Sequence, residues 1–310
     1  MRAIHFAPLQ GYTDGVYRDA HTKIFGGVER YYTPFVRVER GGFRNRDIRE
    51  LVRSEWDGAR LIPQLIASKP EEMEVIVSLF RENGYNEIDI NMGCPFPKQV
   101  NAHRGSGLLC HRAEAEALLG SIKRFEGITF SIKLRLGWES AEEVMALIPL
   151  LNDLPLSHVT LHPRLGRQQY KGDVDWDGFT RFYESCEHPL FYNGDILSID
   201  DINRVFDRFP KLSGVMVGRG LLASPWLAHE YISGEPFSRA ERSSRLMMFH
   251  DMLLNGYASS LEGGEGQLLM KMKSVWDYLL PDADKKMRKK IVKSNTLTSY
   301  QEAARALLSL

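Results

Sequence analysis

Arg60-Leu61-Ile62-Pro63-Gln64-Leu65, then Pro70-Glu71-Glu72-Met73-Glu74-Val75-Ile76-Val77-Ser78-Leu79-Phe80-Arg81-Glu82-Asn83, then Glu87-Ile88-Asp89-Ile90-Asn91 decide the fold class. The outer pieces are short apolar or β-branched runs. The middle piece places Met73, Val75, Ile76, Leu79 and Phe80 at helical spacing, so the stretch reads strand, amphipathic helix, strand. A helix between two strands is the signature of a parallel βα unit with a right-handed crossover. Outward from it, strand-like runs recur at Ala3 to Ala7, Arg30 to Val36, Thr129 to Leu134, His158 to His162, Leu190 to Asn193 and Gly214 to Gly218. Helical patterns separate several of them, including Ala113 to Phe125 and Ala141 to Leu151. Eight strands in about 235 residues match a (β/α)₈ TIM barrel, which typically needs ~250 residues. A doubly wound open sheet competes, but it normally carries a glycine-rich turn after its first strand, where this chain has Ala7-Pro8-Leu9-Gln10-Gly11.

Past Gly234-Glu235-Pro236 no strand-like run occurs, and helix formers dominate to Leu310, broken at Gly263-Gly264-Glu265-Gly266. The expected organisation is a catalytic barrel over residues 1–236 and a smaller all-helical domain over 237–310. The 40 basic residues balance 40 acidic ones, and 43% of the chain is hydrophobic, which excludes a disordered or uniformly basic protein. The three cysteines, Cys94, Cys110 and Cys186, form no CxxC pair, so neither a disulfide framework nor a metal site is expected. With no signal-like or membrane-spanning run and no dimerisation signal, a cytoplasmic monomer is the expectation.

Barrel chemistry sits just past the strand C-termini, and there the chain is polar. Gln64 lies on the third strand, Asn91-Met92-Gly93-Cys94-Pro95 ends the fourth, and Lys133 and Arg135 lie on the fifth. His162-Pro163-Arg164 ends the sixth, Asn193-Gly194-Asp195 the seventh and Gly218-Arg219-Gly220 the eighth. The last two loops suit a phosphate, because Gly194 and Gly218 admit close backbone approach and Arg219 adds charge, although such glycines also serve ordinary tight turns. Lys133 in an otherwise apolar strand needs an anionic partner if it points inward; an outward register with the amine in solvent is the plainer alternative. Cys94, turned between Gly93 and Pro95, is placed to act as a proton donor, since a thiol is mostly protonated at neutral pH.

In order along the chain, Ala7-Pro8-Leu9-Gln10-Gly11-Tyr12-Thr13-Asp14, Asn91 to Pro95 with Val100, Lys133-Leu134-Arg135-Leu136-Gly137-Trp138, His162, Asn193-Gly194-Asp195-Ile196 and Gly218-Arg219-Gly220 resemble the signatures of the tRNA-dihydrouridine synthases. The match spans the barrel, and the helical tail is similar to that family's tRNA-binding domain. Leu9 and Gln10 depart from the family's common Met and Glu without removing a catalytic group.

The resemblance implies an FMN enzyme, reduced by NADPH, that saturates the C5=C6 bond of a D-loop uridine in tRNA. Hydride passes from reduced flavin N5 to C6, and Cys94 protonates C5. Pro8 and Gln64 would contact the isoalloxazine, Lys133 and His162 its pyrimidine edge. Asn193, Gly194, Asp195, Gly218 and Arg219 would lie at the ribityl phosphate. Asn91, Arg135 and Arg164 would hold the base. Thr33 to Val38 and Trp138 resemble the subfamily acting at tRNA position 16 more than those acting at position 20. Lys98, His103, Arg104, Arg164, Arg167 and Lys171 around the mouth, with Lys285 to Lys293 in the tail, would meet tRNA phosphates, though a charge run is usually a solvated helix face. Tyr12 and Trp138 are possible aromatic walls for the flipped base. A free-pyrimidine flavoenzyme of the dihydroorotate dehydrogenase type is the alternative; a basic helical tail is of no use to it.

Overall fold

In the computed structural model, residues 2–52 and 60–309 are described. β-Branched and apolar runs form nine parallel strands: β1 Ala3–Phe6, β2 Arg30–Tyr32, β3 Arg60–Ile62, β4 Gln64–Leu65, β5 Glu87–Met92, β6 Thr129–Gly137, β7 Leu156–Leu165, β8 Leu190–Asn193 and β9 Gly214–Val217. The ladder runs β3-β2-β1-β9-β8-β7-β6-β5-β4. Its two ends are halves of one run. Pro63 between them has no N–H to donate, so the ladder breaks there while Ile62 pairs with β2 and Gln64 with β5. The run Arg60–Leu65 therefore serves as one strand, the third of the eight expected from the sequence, and the sheet closes into a barrel.

Strand ends differ from the sequence reading in both directions. β2 stops at Tyr32, short of Val36, because Pro34 interrupts the pairing; Val36 rejoins through an isolated bridge to Leu65. β6 and β7 run on to Gly137 and Leu165, beyond the expected ends at Leu134 and His162, and Arg135 and Arg164 lie within them. Helices Pro70–Glu82 and Arg112–Gly120 follow the expected patterns, whereas the segment from Ala141 splits into Glu142–Met145 and Ile148–Asp153 with Pro149 at the restart.

The tail folds as four helices, Arg239–Ser260, Gly264–Val275, Lys285–Lys293 and Leu297–Leu308. Ser238 and Glu241 cap the first reciprocally, and Asp284 and Thr296 cap the last two. One apolar core runs unbroken from barrel to tail: Phe249 packs edge-on against Tyr17 (5.3 Å) and Phe25 (5.4 Å), and Trp276 and Tyr300 belong to the same cluster. Gly256 must be glycine for this docking, because a Cβ there would lie 2.6 Å from Val16 Cγ1. The loop after β1 is fastened to the tail by polar contacts. Tyr257 donates to Asp14 (2.8 Å), Lys271 pairs with Asp14 and donates to Gly11 O (both 2.7 Å), and Tyr12 donates to Asp277 (3.0 Å). Among the described residues no helix is long and apolar enough to cross a membrane.

Buried histidines make the fold acid-sensitive. His21, packed beside Phe6 and Phe25 with Nδ1 2.6 Å from the Tyr31 hydroxyl, has its pKa pushed down to about 3 by burial. Burial also lowers His5 and His158. A group whose folded pKa lies below its unfolded value stabilises the fold fully above the unfolded pKa, near 6.5, and less as pH falls toward the folded one. Asp89, raised to about 6 by burial, has the opposite sign and offsets part of this loss between about pH 6 and 4. The expected outcome is a melting temperature that drops between pH 6.5 and 3, with a shallower slope in His21→Leu; an identical slope in the variant would remove His21 from the account.

Candidate active site at the carboxyl end of the barrel

The sharpest local structure is the turn that follows β5. Asn91, the last polar residue on that strand, turns its side-chain carbonyl back to accept from the backbone N–H of Gly93 (3.1 Å) and Cys94 (2.9 Å). Arg135 Nε donates to Gly93 O (2.9 Å), and Ser106 donates through both its N–H and its hydroxyl to Cys94 O (3.0 Å each). Gly105 sits at φ +60° with its missing Cβ 2.6 Å from Cys94 O, so only glycine lets the second loop close over the cysteine. The turn that carries the thiol is thus held from both sides. Burial raises the thiol's pKa, outweighing the nearby Arg135, Lys133 and Arg37 charges, so it is protonated at neutral pH.

Lys133, a register partner of Asn91, points inward, as the sequence reading requires of a cofactor contact. Its amine makes no hydrogen bond or ion pair with a described residue, and burial, reinforced by Arg135, lowers its pKa to about 8. On the neighbouring strand, His162 is neutral, its pKa held well below the usual range by burial and the surrounding cations. Arg164 Nη1 lies 3.2 Å from His162 Nε2. A guanidinium only donates, so Nε2 accepts and the ring proton sits on Nδ1.

The loops after β8 and β9 meet through charge. Asp195 takes a bidentate pair from Arg164 (3.0 and 2.5 Å) and a third contact from Arg219 Nη2 (2.9 Å). Asn193 is tied to Met216 O (2.7 Å). Gly194 has φ +151°, and a Cβ there would meet Val174 Cγ1 at 3.2 Å and His162 Cδ2 at 3.3 Å. Pro8, half-buried, follows β1 on the same rim, and Gln64 is fully buried on β4 beside β5. An unpartnered inward ammonium, a neutral imidazole with a free N–H, and a glycine-lined rim beside Arg219 fit an anionic, planar cofactor with a phosphate tail.

Two expected base contacts have other work. Arg135 is 2% exposed and donates from Nε to Gly93 O (2.9 Å) and from Nη1 to Leu165 O (3.1 Å) and Gln169 O (2.6 Å). Arg164, also 2% exposed, divides its donors among Asp195, His162 and Gly172 O. Both brace the mouth from within β6 and β7. Several expected phosphate contacts are likewise committed: Lys98 to Glu39 (2.6 Å), Arg104 to Glu72 (2.5 Å) and His103 to Glu114 (3.0 Å). Arg167 and Lys171 remain exposed.

Sequence spacing also missed two features. Tyr170, 54% exposed, stands with its ring 5.3 Å from the Arg135 guanidinium and 5.2 Å from that of Arg219, forming an aromatic wall at the mouth. Its place eight residues past His162 was the only signal. Tyr12, read as such a wall, is turned to the tail against Tyr278, and Trp138 packs on Gly166. His103, His111 and Glu114, with no recognisable ligand spacing, bring their donor atoms within 4.8 Å of one another. The two imidazoles stack at 3.6 Å and 11°, so a cation between them would lie outside both ring planes.

The family model described as "Dihydrouridine synthase (Dus)" matches residues 5–307. This chain belongs to the dihydrouridine synthase family. It is similar to the tRNA-dihydrouridine(16) synthase of Pseudomonas putida, 30% identical over 262 residues covering 81% of this chain and 78% of the relative. It is also similar to that of Neisseria meningitidis serogroup B, 27% identical over 274 residues and covering 83% and 81%. A probable tRNA-dihydrouridine synthase of Aquifex aeolicus is 30% identical over 229 residues, 73% of this chain and 71% of its own. Solved structures of morphinone reductase in complex with tetrahydroNAD (TM-score 0.53, 12% identity, 79% of this chain and 90% of that one) and of the old yellow enzyme from Trypanosoma cruzi (0.52, 13%, 76% and 89%) share the dihydrouridine synthase chain's barrel fold.

Proposed function

We propose that this chain is a tRNA-dihydrouridine synthase that reduces the C5=C6 bond of a D-loop uridine at position 16, with FMN as resident cofactor and NADPH as reductant. The observation that carries the reading is a protonated Cys94 thiol, on a turn braced from both sides, within electrostatic reach of the Lys133 amine, which has no hydrogen-bond or ion-pair partner among the described residues, in a chain of this family. The choice of position 16 rests on the names of its relatives in Pseudomonas and Neisseria.

A bound flavin would supply the hydride to uracil C6, having taken its electrons from NADPH. Lys133 and the Nδ1–H of His162 would hold the electron-rich pyrimidine edge, Pro8 and Gln64 the ring, and Asn193, Gly194, Gly218 and Arg219 the phosphate end. Asp195 serves there by fixing Arg219, since a carboxylate repels phosphate. Cys94 Sγ gives its proton to C5 as charge develops on that carbon, a contribution of ~10²–10⁴-fold for a placed general acid. Asn91 holds the base and Tyr170 walls it. Residues 1–236 form the catalytic unit in this proposal, and 237–310 the tRNA-binding one.

The test is to incubate the purified protein with NADPH and unmodified tRNA transcripts and map dihydrouridine by position. Product at position 16 is expected; product at position 20 alone would overturn the regiospecificity. No product on transcripts or on tRNA from cells lacking the enzyme would overturn the function. Lys133→Ala should weaken flavin binding at least about tenfold. In the wild type that binding should weaken as pH rises through about 8, where the amine loses its charge, and fluorescence titration from pH 6 to 9 reads both effects.

A further inference from the structure

Beneath the mouth lies a buried carboxylate to which the proposed function gives no role. Asp89, on β5 two residues before Asn91, is wholly inaccessible to solvent. Its Oδ1 accepts from the Ser131 hydroxyl and its Oδ2 from Gln64 Nε2, both at 2.6 Å. Gln64 Oε1 in turn accepts from Asn91 Nδ2 (2.7 Å), and Asn91 Oδ1 accepts from the N–H groups of Gly93 and Cys94.

The order of these contacts is forced. An ionised carboxylate can only accept, so Gln64 must turn its NH₂ toward Asp89 and leave its carbonyl for Asn91. Asn91 must then point its NH₂ at Gln64 and its carbonyl at the cysteine turn. Reversing either amide would set donor against donor in a buried site, which is expensive. We infer that Asp89 is a positioning residue that fixes, through Gln64 and Asn91, the orientation of both side-chain amides and of the Cys94 turn. Two short hydrogen bonds, with Lys133 in electrostatic reach, offset part of the burial cost, which leaves the carboxyl raised to about 6 and still ionised at neutral pH. The inference deepens the proposed function, in which Gln64 faces the flavin and Asn91 the uracil.

The experiment reads the turn directly, by native-state amide hydrogen exchange at Gly93 and Cys94 in the wild type, in Asp89→Asn and in the double variant Asp89→Asn, Gln64→Glu. An amide in place of the Asp89 carboxylate can donate and so removes the constraint on Gln64. Exchange at Cys94 should then accelerate about five- to tenfold, the loss of roughly one buried hydrogen bond. In the double variant, the carboxylate introduced at position 64 accepts both from the amide introduced at position 89 and from Asn91, and protection should return. Dihydrouridine formation by Asp89→Asn should fall in kcat with KM for tRNA unchanged. Wild-type exchange at Cys94 in Asp89→Asn would overturn the inference. So would a general loss of protection that the double variant leaves uncorrected, since that marks Asp89 as a packing residue only. The exchange readout needs no turnover, so it stands apart from failure of the wild type to form dihydrouridine, which would overturn the function and not the relay.

Discussion

Cys94→Ala is expected to form dihydrouridine ~10²–10⁴-fold more slowly than the wild type while keeping its flavin, which is the cost of removing a placed general acid. The substitution is well suited to a clean reading. The Cys94 turn is held through backbone atoms, by Asn91 Oδ1 on its N–H and by Ser106 on its carbonyl, so it survives loss of the sulfur. Lys133 and His162 belong to other strands, so flavin binding should be unchanged. The pH dependence adds a second check. Burial holds the thiol pKa above its ordinary value, so the wild-type rate should persist through neutral pH and decline only on the alkaline side as the thiol ionises. A Cys94→Ala enzyme with wild-type turnover, or a wild-type rate that climbs with thiol ionisation, would refute the assignment of Cys94 as the acid.

Neutralising Lys285, Lys286, Lys289, Lys290 and Lys293 together should weaken tRNA binding roughly ten- to a hundredfold at moderate salt and flatten its log–log salt dependence by about 3 to 4, the number of counterions no longer released. All five side chains are exposed on one short helix capped by Asp284. Arg288, inside the same run, is left out on purpose. Its guanidinium reaches inward to the backbone carbonyls of Trp276, Leu279 and Leu280 and so holds the tail together. Arg288→Ala is therefore expected to lower the melting temperature, where the five lysines leave it unchanged. A salt slope identical to that of the wild type would reduce the lysine run to a solvated helix face.

The barrel was legible because its strands are near-continuous apolar runs alternating with amphipathic helices, a pattern that parallel sheets buried on both faces enforce. The residues at the strand ends were legible for the same reason: a Lys, Arg or His in such a run has to be explained. What each cation does there was less so. Sequence shows the charges of Arg135 and Arg164 but not their partners within the protein, which are backbone carbonyls and Asp195. Lys98 and Arg104 look like phosphate contacts for the same reason, and their acidic partners Glu39 and Glu72 lie 59 and 32 residues away. Asp89 escaped notice because a carboxylate between two isoleucines looks like simple alternation. Tyr170 escaped because an exposed aromatic in a loop carries no periodic signal.

The unbroken core between barrel and tail has a consequence for how a nucleotide is selected. Phe249, Gly256, Tyr257 and Lys271 fasten the tail to the loop and helix that follow β1, so the helix of tail lysines and Cys94 are carried on one continuous core. Under the proposed function the molecule then works as a gauge. It grips the tRNA at one point and reads whichever uridine lies one set distance away, so that changing the angle of the grip, with every residue around Cys94 left intact, would change the address.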